Sequence, residues 1–247
     1  MLKISIISPT YNCVELLRKH LASVQNQIFR NLEHIIIDNL SNDGTEQVVL
    51  DYQKRADYPV IYVRERDCGI YQANNKGIKR ASGQWIHILN ADNVYHSERT
   101  LQDIFSNDLS QCDLIAGGVV LNKKTGNEER PVYLKPEYEP KLKDFRFPHQ
   151  GTLIRRDFYQ KHGVYSERFR IVSDSIFAIR HYSKARWRII DTPIAILSSG
   201  GISGTMSWIN TWENVIVLLF FHKYPLMFRV RSVLSHFLQY LRRLRFY

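Results

Sequence analysis

The stretch Ile4-Ser5-Ile6-Ile7-Ser8-Pro9-Thr10-Tyr11-Asn12 decides the fold class of this 247-residue chain. Its first five residues form an apolar, largely β-branched run, which predicts a buried strand over 4–8. The four residues that follow are typical of a turn, and from Val14 to Ile28 apolar residues recur at helical spacing. The chain therefore begins with a strand, a polar turn and a helix.

This order of strand, polar turn and helix repeats along the first 120 residues. Further strands are predicted at 33–38, 60–63, 85–89 and 114–120, and helices at 45–55, 71–81 and 97–105. Because parallel strands need a crossover helix between them, the alternation predicts an α/β fold with a doubly wound, mainly parallel, Rossmann-like sheet. The second half is less periodic, with an irregular region expected over 123–148, helices at 156–162 and 174–184, and an extended segment at 187–197.

Polar side chains follow four of the predicted strands at the point where each strand ends. These groups are Thr10 with Asn12, Asp38, residues 64–67 and residues 90–92. One such group would be ordinary turn chemistry, but the carboxyl ends of parallel strands meet at one edge, where α/β sheets bind ligands. Four groups with carboxylate, amide or guanidinium side chains therefore predict a binding site at this edge.

Two common phosphate-binding motifs are missing from the sequence. Neither a Gly-x-Gly-x-x-Gly fingerprint nor a Gly-x-x-x-x-Gly-Lys-Ser/Thr loop follows the first strand. An anionic ligand would need another partner, and Asp92, just after the fourth strand, could ligate a Mg²⁺ or Mn²⁺ ion that bridges a diphosphate. The alternative is that Asp92 caps the helix predicted to follow.

The net charge of +10 is unevenly distributed along the chain. Residues 222–247 hold six basic residues and no acid, which leaves only about +4 on the rest, as in an ordinary soluble domain. Apolar residues of this tail fall on one helical face, which predicts a basic amphipathic helix. No base-reading nucleic-acid module is recognisable, so we expect no nucleic-acid partner; binding of nucleic acid through the tail is the alternative.

The cysteines and the apolar runs predict a cytoplasmic location. Cys13, Cys68 and Cys112 are too widely spaced for a disulfide framework or a zinc site and fit a reducing compartment. No run reaches the roughly 18–20 apolar residues of a membrane span, and no export signal is visible at the N-terminus.

Five short segments follow one another in a fixed order over residues 8–92. They are SPTYN at 8–12, IDNLSNDGT at 37–45, DCGIYQANNKGI at 67–78, ASGQWI at 81–86 and LNAD at 89–92. This series resembles the family 2 glycosyltransferases, and among them the bacterial enzymes of capsule, colanic-acid and lipopolysaccharide assembly. The resemblance implies a GT-A catalytic domain over 1–205, with a nucleotide-sugar half at 1–120 and an acceptor half at 121–205, followed by a helical basic tail at 206–247.

The resemblance implies a nucleoside-diphosphate-sugar donor and a divalent metal, Mn²⁺ or Mg²⁺. The positions that match the family's donor-binding residues are Pro9, Thr10, Tyr11, Asn12, Asp38, Asp67, Lys76, Asn90, Ala91 and Asp92, of which Asp92 is the metal ligand. The sequence departs from the usual Asp-x-Asp motif because Asn90 replaces the first acid. Asn90 can still hydrogen-bond a ribose or a metal-bound water, but the site loses one negative charge, which predicts weaker metal affinity.

Three segments of the second half resemble acceptor-side motifs and the loop that closes the catalytic domain. They are FPHQG at 147–151, FRIVSD at 169–174 and GGISG at 200–204. The resemblance implies that His149 and Gln150 contact the acceptor and that Asp174 is the catalytic base of an inverting transferase of hexosyltransferase type. Such a base takes the proton of the acceptor hydroxyl as its oxygen attacks the anomeric carbon. The alternative for Asp174 is a helix N-cap.

Other enzyme classes fit the sequence less well. Processive synthases carry Gln-x-x-Arg-Trp, but Ser183 stands where the Gln would precede Arg186-Trp187, so a non-processive enzyme is expected. Nucleotide-sugar pyrophosphorylases need a glycine-rich basic loop after the first strand, and residues 9–15 contain no glycine, arginine or lysine. A degenerate protein without activity is a further alternative, motivated by Asn90.

The acceptor and the tail together predict where the enzyme acts. The family resemblance implies a saccharide or lipid-linked acceptor in bacterial surface polysaccharide synthesis. A basic amphipathic helix lies in the interface of anionic lipid, so we predict that the tail attaches the protein peripherally to the inner face of the bacterial membrane. The alternative is that the tail helix packs on the catalytic domain.

Overall fold

The structure is a computed structural model of the chain, and it describes residues 3–125, 128–134, 137–139, 144–146, 148–198, 212–213 and 215–217. Most of the predicted basic tail and the whole of residues 200–204 lie outside these described residues. Within them, no helix has both the length and the apolar character needed to cross a membrane.

Strands and helices alternate along the first half of the chain, as predicted. They are β1 (Ile4–Thr10), α1 (Val14–Gln25), β2 (Leu32–Asp38), α2 (Thr45–Arg55), β3 (Val60–Arg64), α3 (Ile70–Arg80), β4 (Trp85–Ile88), β5 (Val94–Tyr95) and α4 (Thr100–Phe105). The short strand β5 is an element that the sequence pattern did not predict.

The second half contains more strands than predicted. Its elements are β6 (Leu114–Thr125), β7 (Glu128–Leu134), β8 (Glu137–Glu139), β9 (Asp144–Arg146), β10 (Thr152–Arg155), α5 (Arg156–His162), α6 (Ser173–His181) and β11 (Trp187–Leu197). The expectation of an irregular region over 123–148 is therefore wrong. Strand β7 pairs antiparallel with β6 and starts only three residues after it, so no crossover helix marks it in the sequence. Pro131 within β7 also reads as a strand breaker, although proline is compatible with a sheet edge.

The main sheet has the strand order β3-β2-β1-β4-β10-β6-β11-β5, with β7 attached to β6. The four strands at the β3 end are parallel, whereas β10 runs antiparallel to both β4 and β6. This confirms the predicted α/β class with a parallel first half and shows that the second half of the sheet is mixed. Strands β8 and β9 form a separate two-stranded sheet.

Helices cover both faces of the sheet, which explains why the central strands are apolar on both sides. Successive residues of a strand point to opposite faces, and in β1 Ile6 packs with α1 and α2 whereas Ile7 packs with α3, α5 and α6. All seven residues of β1 and all seven of β2 are buried. The buried core on both faces thus fixes the positions of the carboxyl ends of these strands.

Candidate active site

The carboxyl ends of β1, β2 and β4 lie side by side, as the sequence predicted. Thr10 is paired with Asp38 in the parallel register of β1 and β2. On the other side, the carbonyl oxygen of Pro9 accepts a hydrogen bond from the Ala91 N–H at 3.4 Å, beyond the end of β4. The segment 9–12, Asp38 and the segment 90–92 therefore meet at one edge of the sheet.

Asp38 is fully buried and organises the loops around it. Its Oδ1 accepts hydrogen bonds from the backbone N–H and the hydroxyl of Ser41, and its Oδ2 accepts one from the Tyr62 hydroxyl at 2.9 Å. The Arg64 guanidinium lies 3.6 Å from Oδ2. A nucleoside could contact Asp38 only by replacing one of these partners.

Two residues of this edge have left-handed backbone conformations. Asn12 has a φ of 44° and Leu40 a φ of 56°, a region that non-glycine residues seldom adopt. The two loops are interlocked, because the Asn12 side chain accepts from the Asn42 N–H at 3.0 Å and the Asn12 N–H donates to Ser41 Oγ at 2.9 Å. Tyr11, which precedes Asn12, is 60% exposed. Such enforced backbone strain is common where loops are shaped for a ligand.

Asp67 and Lys76 form an ion pair at the same edge. The Asp67 N–H donates to Asn39 Oδ1 at 2.6 Å, and Lys76 Nζ contacts Asp67 Oδ1 and lies 3.3 Å from Glu65. Burial raises the pKa of the Asp67 carboxyl, although Lys76 opposes this shift. The structure thus brings both residues to the expected edge but pairs them with each other.

Asn90 and Asp92 each carry a buried side-chain oxygen, Oδ1 in both, that has no hydrogen-bond partner among the described residues. The other carboxylate oxygen of Asp92 accepts a hydrogen bond from Ser198 Oγ at 3.3 Å. Burial raises the pKa of the Asp92 carboxyl, although hydrogen bonds from its own backbone N–H and from Ser198 oppose this shift. A divalent cation would supply the missing partner, and carboxylate and amide oxygens are ligands that Mg²⁺ and Mn²⁺ accept.

The described residues contain no cluster of three His, Cys, Asp or Glu side chains that could hold a metal by themselves. This fits a cation bound by one or two protein oxygens together with the phosphates of a ligand, as is usual for Mg²⁺. The alternative that Asp92 caps a helix is wrong. Strand β5 follows Asp92 directly, and α4 starts only at Thr100.

Asp174 is held in the first turn of α6 by a tyrosine from α3. Its Oδ1 accepts hydrogen bonds from the Tyr71 hydroxyl and the Ser175 N–H, each at 2.8 Å. The alternative that Asp174 is the N-cap is wrong, because α6 starts at Ser173 and its cap is Val172. The Tyr71 hydroxyl also lies 2.6 Å from the Ile171 carbonyl oxygen, so it bridges the helix start and the carboxylate.

His149 lies within electrostatic range of Asp174, in the short 3-10 turn that precedes β10. Its Nε2 is buried without a hydrogen-bond partner in the described part of the chain, and its ring packs edge-on against Tyr165. Burial lowers the pKa of His149 and the nearby Asp174 charge opposes this shift, so the imidazole is neutral at pH 7. The backbone of Gln150 is fixed through its main-chain carbonyl oxygen, which lies 3.0 Å from His87 Nε2.

A buried chain of hydrogen bonds connects the core to the segment around Asp92. Each step measures between 2.6 and 2.9 Å, and the chain runs through Tyr58, Tyr52, His34, Ser8, His20 and the Asn93 carbonyl oxygen. Because a carbonyl only accepts, His20 must donate from Nδ1. With both histidines neutral, this fixes the direction of every hydrogen bond in the series, because each group must then donate to the next one, from the Tyr58 hydroxyl to Asn93.

The buried histidines predict acid sensitivity of the fold. Burial lowers the pKa of His20 and of His87 from 6.5 to about 4, and that of His34 well below 6.5. Since the unfolded chain then binds more protons than the native one, the free energy of unfolding should fall as pH drops below about 6.5. By linkage, each histidine with a pKa near 4 lowers the free energy of unfolding by about 2 kcal/mol at pH 5 relative to pH 7.5.

Urea unfolding at the two pH values measures this loss. H96Q, at an exposed histidine, provides the control for the substitution itself. Equal stability of the wild-type chain at pH 7.5 and pH 5 would contradict the neutral, buried state of these imidazoles.

The sequence analysis missed two residues that hold the candidate site together. Tyr71 lies within the segment at 67–78 that carried the family resemblance, so a signal existed, but its hydroxyl partner is 103 residues away. Ser198 contacts Asp92 across 106 residues, and its own surroundings in the sequence give no signal.

The sequence model of the family described as "Glycosyl transferase family 2" matches residues 5–179. The chain belongs to this family. A curated relative of this glycosyltransferase, the PGL/p-HBAD biosynthesis glycosyltransferase of Mycobacterium bovis, is 28% identical over 207 residues, which cover 82% of this chain and 79% of the relative. The putative teichuronic acid biosynthesis glycosyltransferase TuaG of Bacillus subtilis is 29% identical over 96 residues, covering 39% of this chain and 38% of TuaG.

Solved glycosyltransferase structures share the fold. Residues 1–349 of Staphylococcus aureus TarS in complex with UDP-GlcNAc superimpose with a TM-score of 0.69 and 21% identity, over 87% of this chain. The mannosyltransferase PcManGT of Pyrobaculum calidifontis, in complex with GDP-Man and Mn²⁺, gives a TM-score of 0.62 at 17% identity over 97% of this chain. The match spans 64% of each of these two proteins. The predicted GT-A fold and transferase class are thereby confirmed.

Proposed function

We propose that this glycosyltransferase moves one sugar per encounter from a nucleoside-diphosphate-sugar to a saccharide or lipid-linked acceptor, with inversion at the anomeric carbon. The product would be a bacterial surface polysaccharide such as capsule or lipopolysaccharide. The observation that carries the proposal is a pair of buried oxygens, of Asn90 and Asp92, at the carboxyl edge of a GT-A sheet, which have no hydrogen-bond partner in the described part of the chain.

The donor half of the proposal rests on the edge formed by β1, β2 and β4. The nucleoside would lie against the exposed Tyr11 and the interlocked loops around Asn12 and Asp38. The diphosphate would lie at residues 90–92, where Asp92 and Asn90 would hold a Mn²⁺ or Mg²⁺ ion. When bound, such an ion neutralises the charge that develops on the leaving diphosphate. Two structural neighbours bind UDP-GlcNAc and GDP-Man, which supports this class of donor.

The acceptor half rests on Asp174 and His149. The hydrogen bonds that the described residues make to the Asp174 carboxylate fall on Oδ1, so Oδ2 is available to take a proton. In the proposed step, the acceptor oxygen attacks the anomeric carbon, Asp174 takes the hydroxyl proton, and the bond to the diphosphate breaks. The neutral His149 would hydrogen-bond the acceptor through its unpartnered Nε2, with Gln150 beside it.

A panel of UDP-, GDP- and dTDP-sugars tests the proposed function. With the full chain and Mn²⁺, one donor class should bind and be hydrolysed slowly, with water in place of the acceptor, and EDTA should abolish both effects. Failure of every donor to bind would favour the degenerate protein without activity. A salt-sensitive shift of RNA or DNA in the absence of any donor binding would favour the nucleic-acid alternative.

We also propose the domain division given by the sequence, with a catalytic domain over 1–205 and a basic tail over 206–247 that attaches the protein to the inner face of the membrane. Cosedimentation with anionic liposomes at low salt should recover the full chain and should fail at high salt. A form that ends at Lys223 should stay in solution under both conditions. Equal binding of the two forms would show that the tail does not attach the protein to lipid.

A further inference from the structure

One buried carboxylate holds the backbone that leads into Asp174. Glu213 is 7% exposed, and its two oxygens accept hydrogen bonds from three consecutive N–H groups. The Arg170 N–H lies 2.8 Å from Oε1, and the N–H groups of Ile171 and Val172 lie 2.8 and 3.2 Å from Oε2. The contact joins chain positions 41–43 residues apart.

These N–H groups need a partner from elsewhere in the chain. They belong to the three residues before α6, which starts at Ser173, so the hydrogen bonds within that helix do not satisfy them. A carboxylate so close to the start of the helix is favoured further by the positive end of the helix dipole. Glu213 therefore supplies, from a distant segment, the acceptor that these three N–H groups need.

The peptide group between Ile171 and Val172 connects Glu213 to Asp174. Its N–H lies 3.2 Å from Glu213 Oε2, and its carbonyl oxygen lies 2.6 Å from the Tyr71 hydroxyl, which is also 2.8 Å from Asp174 Oδ1. A shift of this peptide would therefore move the hydroxyl that orients the carboxylate. Hydrogen-bonding groups in one such network act together rather than singly.

We propose that Glu213 is a positioning residue, which fixes the backbone of 170–172 and through it the Tyr71 hydroxyl and the orientation of Asp174. The proposal rests on the proposed role of Asp174 as the base. The substitution E213Q keeps the size of the side chain but removes its charge and one of its two acceptor oxygens. The NH₂ group of the amide would then face N–H groups, to which it cannot hydrogen-bond. E213D keeps the carboxylate but shortens its reach.

A double-mutant cycle on the rate of donor hydrolysis tests the proposal. The probe is the nucleotide-sugar that the full chain hydrolyses fastest in the UDP-, GDP- and dTDP-sugar panel. E213Q should lower kcat by about 10- to 100-fold with an unchanged KM for the donor, the scale expected for a displaced catalytic group. E213D should restore part of the rate. In a D174N background, E213Q should have no further effect, because it acts through Asp174.

The control is E98Q, which changes an exposed glutamate before α4 and should leave kcat unchanged. Amide hydrogen exchange of residues 168–176 gives a second readout, and E213Q should accelerate it about tenfold or more while D174N should not.

Two results would overturn the proposal. An unchanged rate and exchange in E213Q would show that the contact has no positioning role. An equal loss of rate by E213Q in the wild-type and D174N backgrounds would show that Glu213 acts on the fold in general. A normal rate of D174N alone would instead overturn the proposed base, and this result is distinguishable because it does not involve Glu213.

Discussion

Replacing Asp174 by Asn should lower the turnover of this glycosyltransferase by about 100-fold or more, the usual scale for loss of a positioned base. The amide has the shape of the carboxylate and can still accept from the Tyr71 hydroxyl, but it cannot take the proton of the acceptor. Donor affinity should change little, because the acceptor hydroxyl and not the nucleotide faces this carboxylate in the proposed step.

The measurement pairs turnover with calorimetric donor binding for the same preparation. D157N is the matched control, since Asp157 lies in the first turn of α5 as Asp174 lies in the first turn of α6, and it is exposed. The control should keep normal turnover. If D174N also turned over at a near-normal rate, another residue would take the proton, and loss of folding in D174N would favour a structural role.

Replacing Asp92 by Ala should abolish the Mn²⁺-dependent binding of the nucleoside diphosphate. Two buried oxygens near the end of β4, of Asn90 and Asp92, lack a hydrogen-bond partner among the described residues. The Asp92 oxygen belongs to a carboxylate, and the neutral Asn90 cannot replace its charge. Calorimetry with the diphosphate, in Mn²⁺ and in EDTA, measures the effect. D103A, which removes an exposed acid on α4, should leave both titrations unchanged. Unchanged affinity in D92A would rule out the metal assignment.

Asn90 allows the opposite change at the same site. N90D restores the first acid of the usual Asp-x-Asp motif, so the added charge should strengthen the affinity for Mn²⁺. A fall in affinity in N90D would show that the amide itself is needed, for a ribose hydroxyl or a metal-bound water.

Local patterns in the sequence predicted the first half of the fold well. The apolar run of β1 and the helical spacing after Thr45 reflect burial on both faces of a sheet, and the helix predicted at 45–55 has the bounds of α2. The polar strand ends predicted that residues 9–12, Asp38 and 90–92 meet, because parallel strands place their carboxyl ends together.

The remaining errors arise where the partner of a residue is distant in the sequence. The alternative of a helix cap arose for Asp92 and Asp174 because each precedes a helical pattern, but the helices start elsewhere. The N–H groups just before α6 donate to Glu213, more than 40 residues away, and nothing in the local sequence marks that contact. Strand β7 was missed because its proline and charges are typical of loops, although they are compatible with a strand that pairs on one side.

The configuration of the first sugar product tests the central claim, direct inverting transfer with Asp174 as the base, without requiring the natural acceptor. Proton NMR can follow hydrolysis of the best donor of the panel in the presence of Mn²⁺, before the free sugar equilibrates between its anomers. The account predicts that the first anomer released has the configuration opposite to that of the donor, and that D174N releases it at least about 100 times more slowly. Release of the anomer with the donor's own configuration would contradict it.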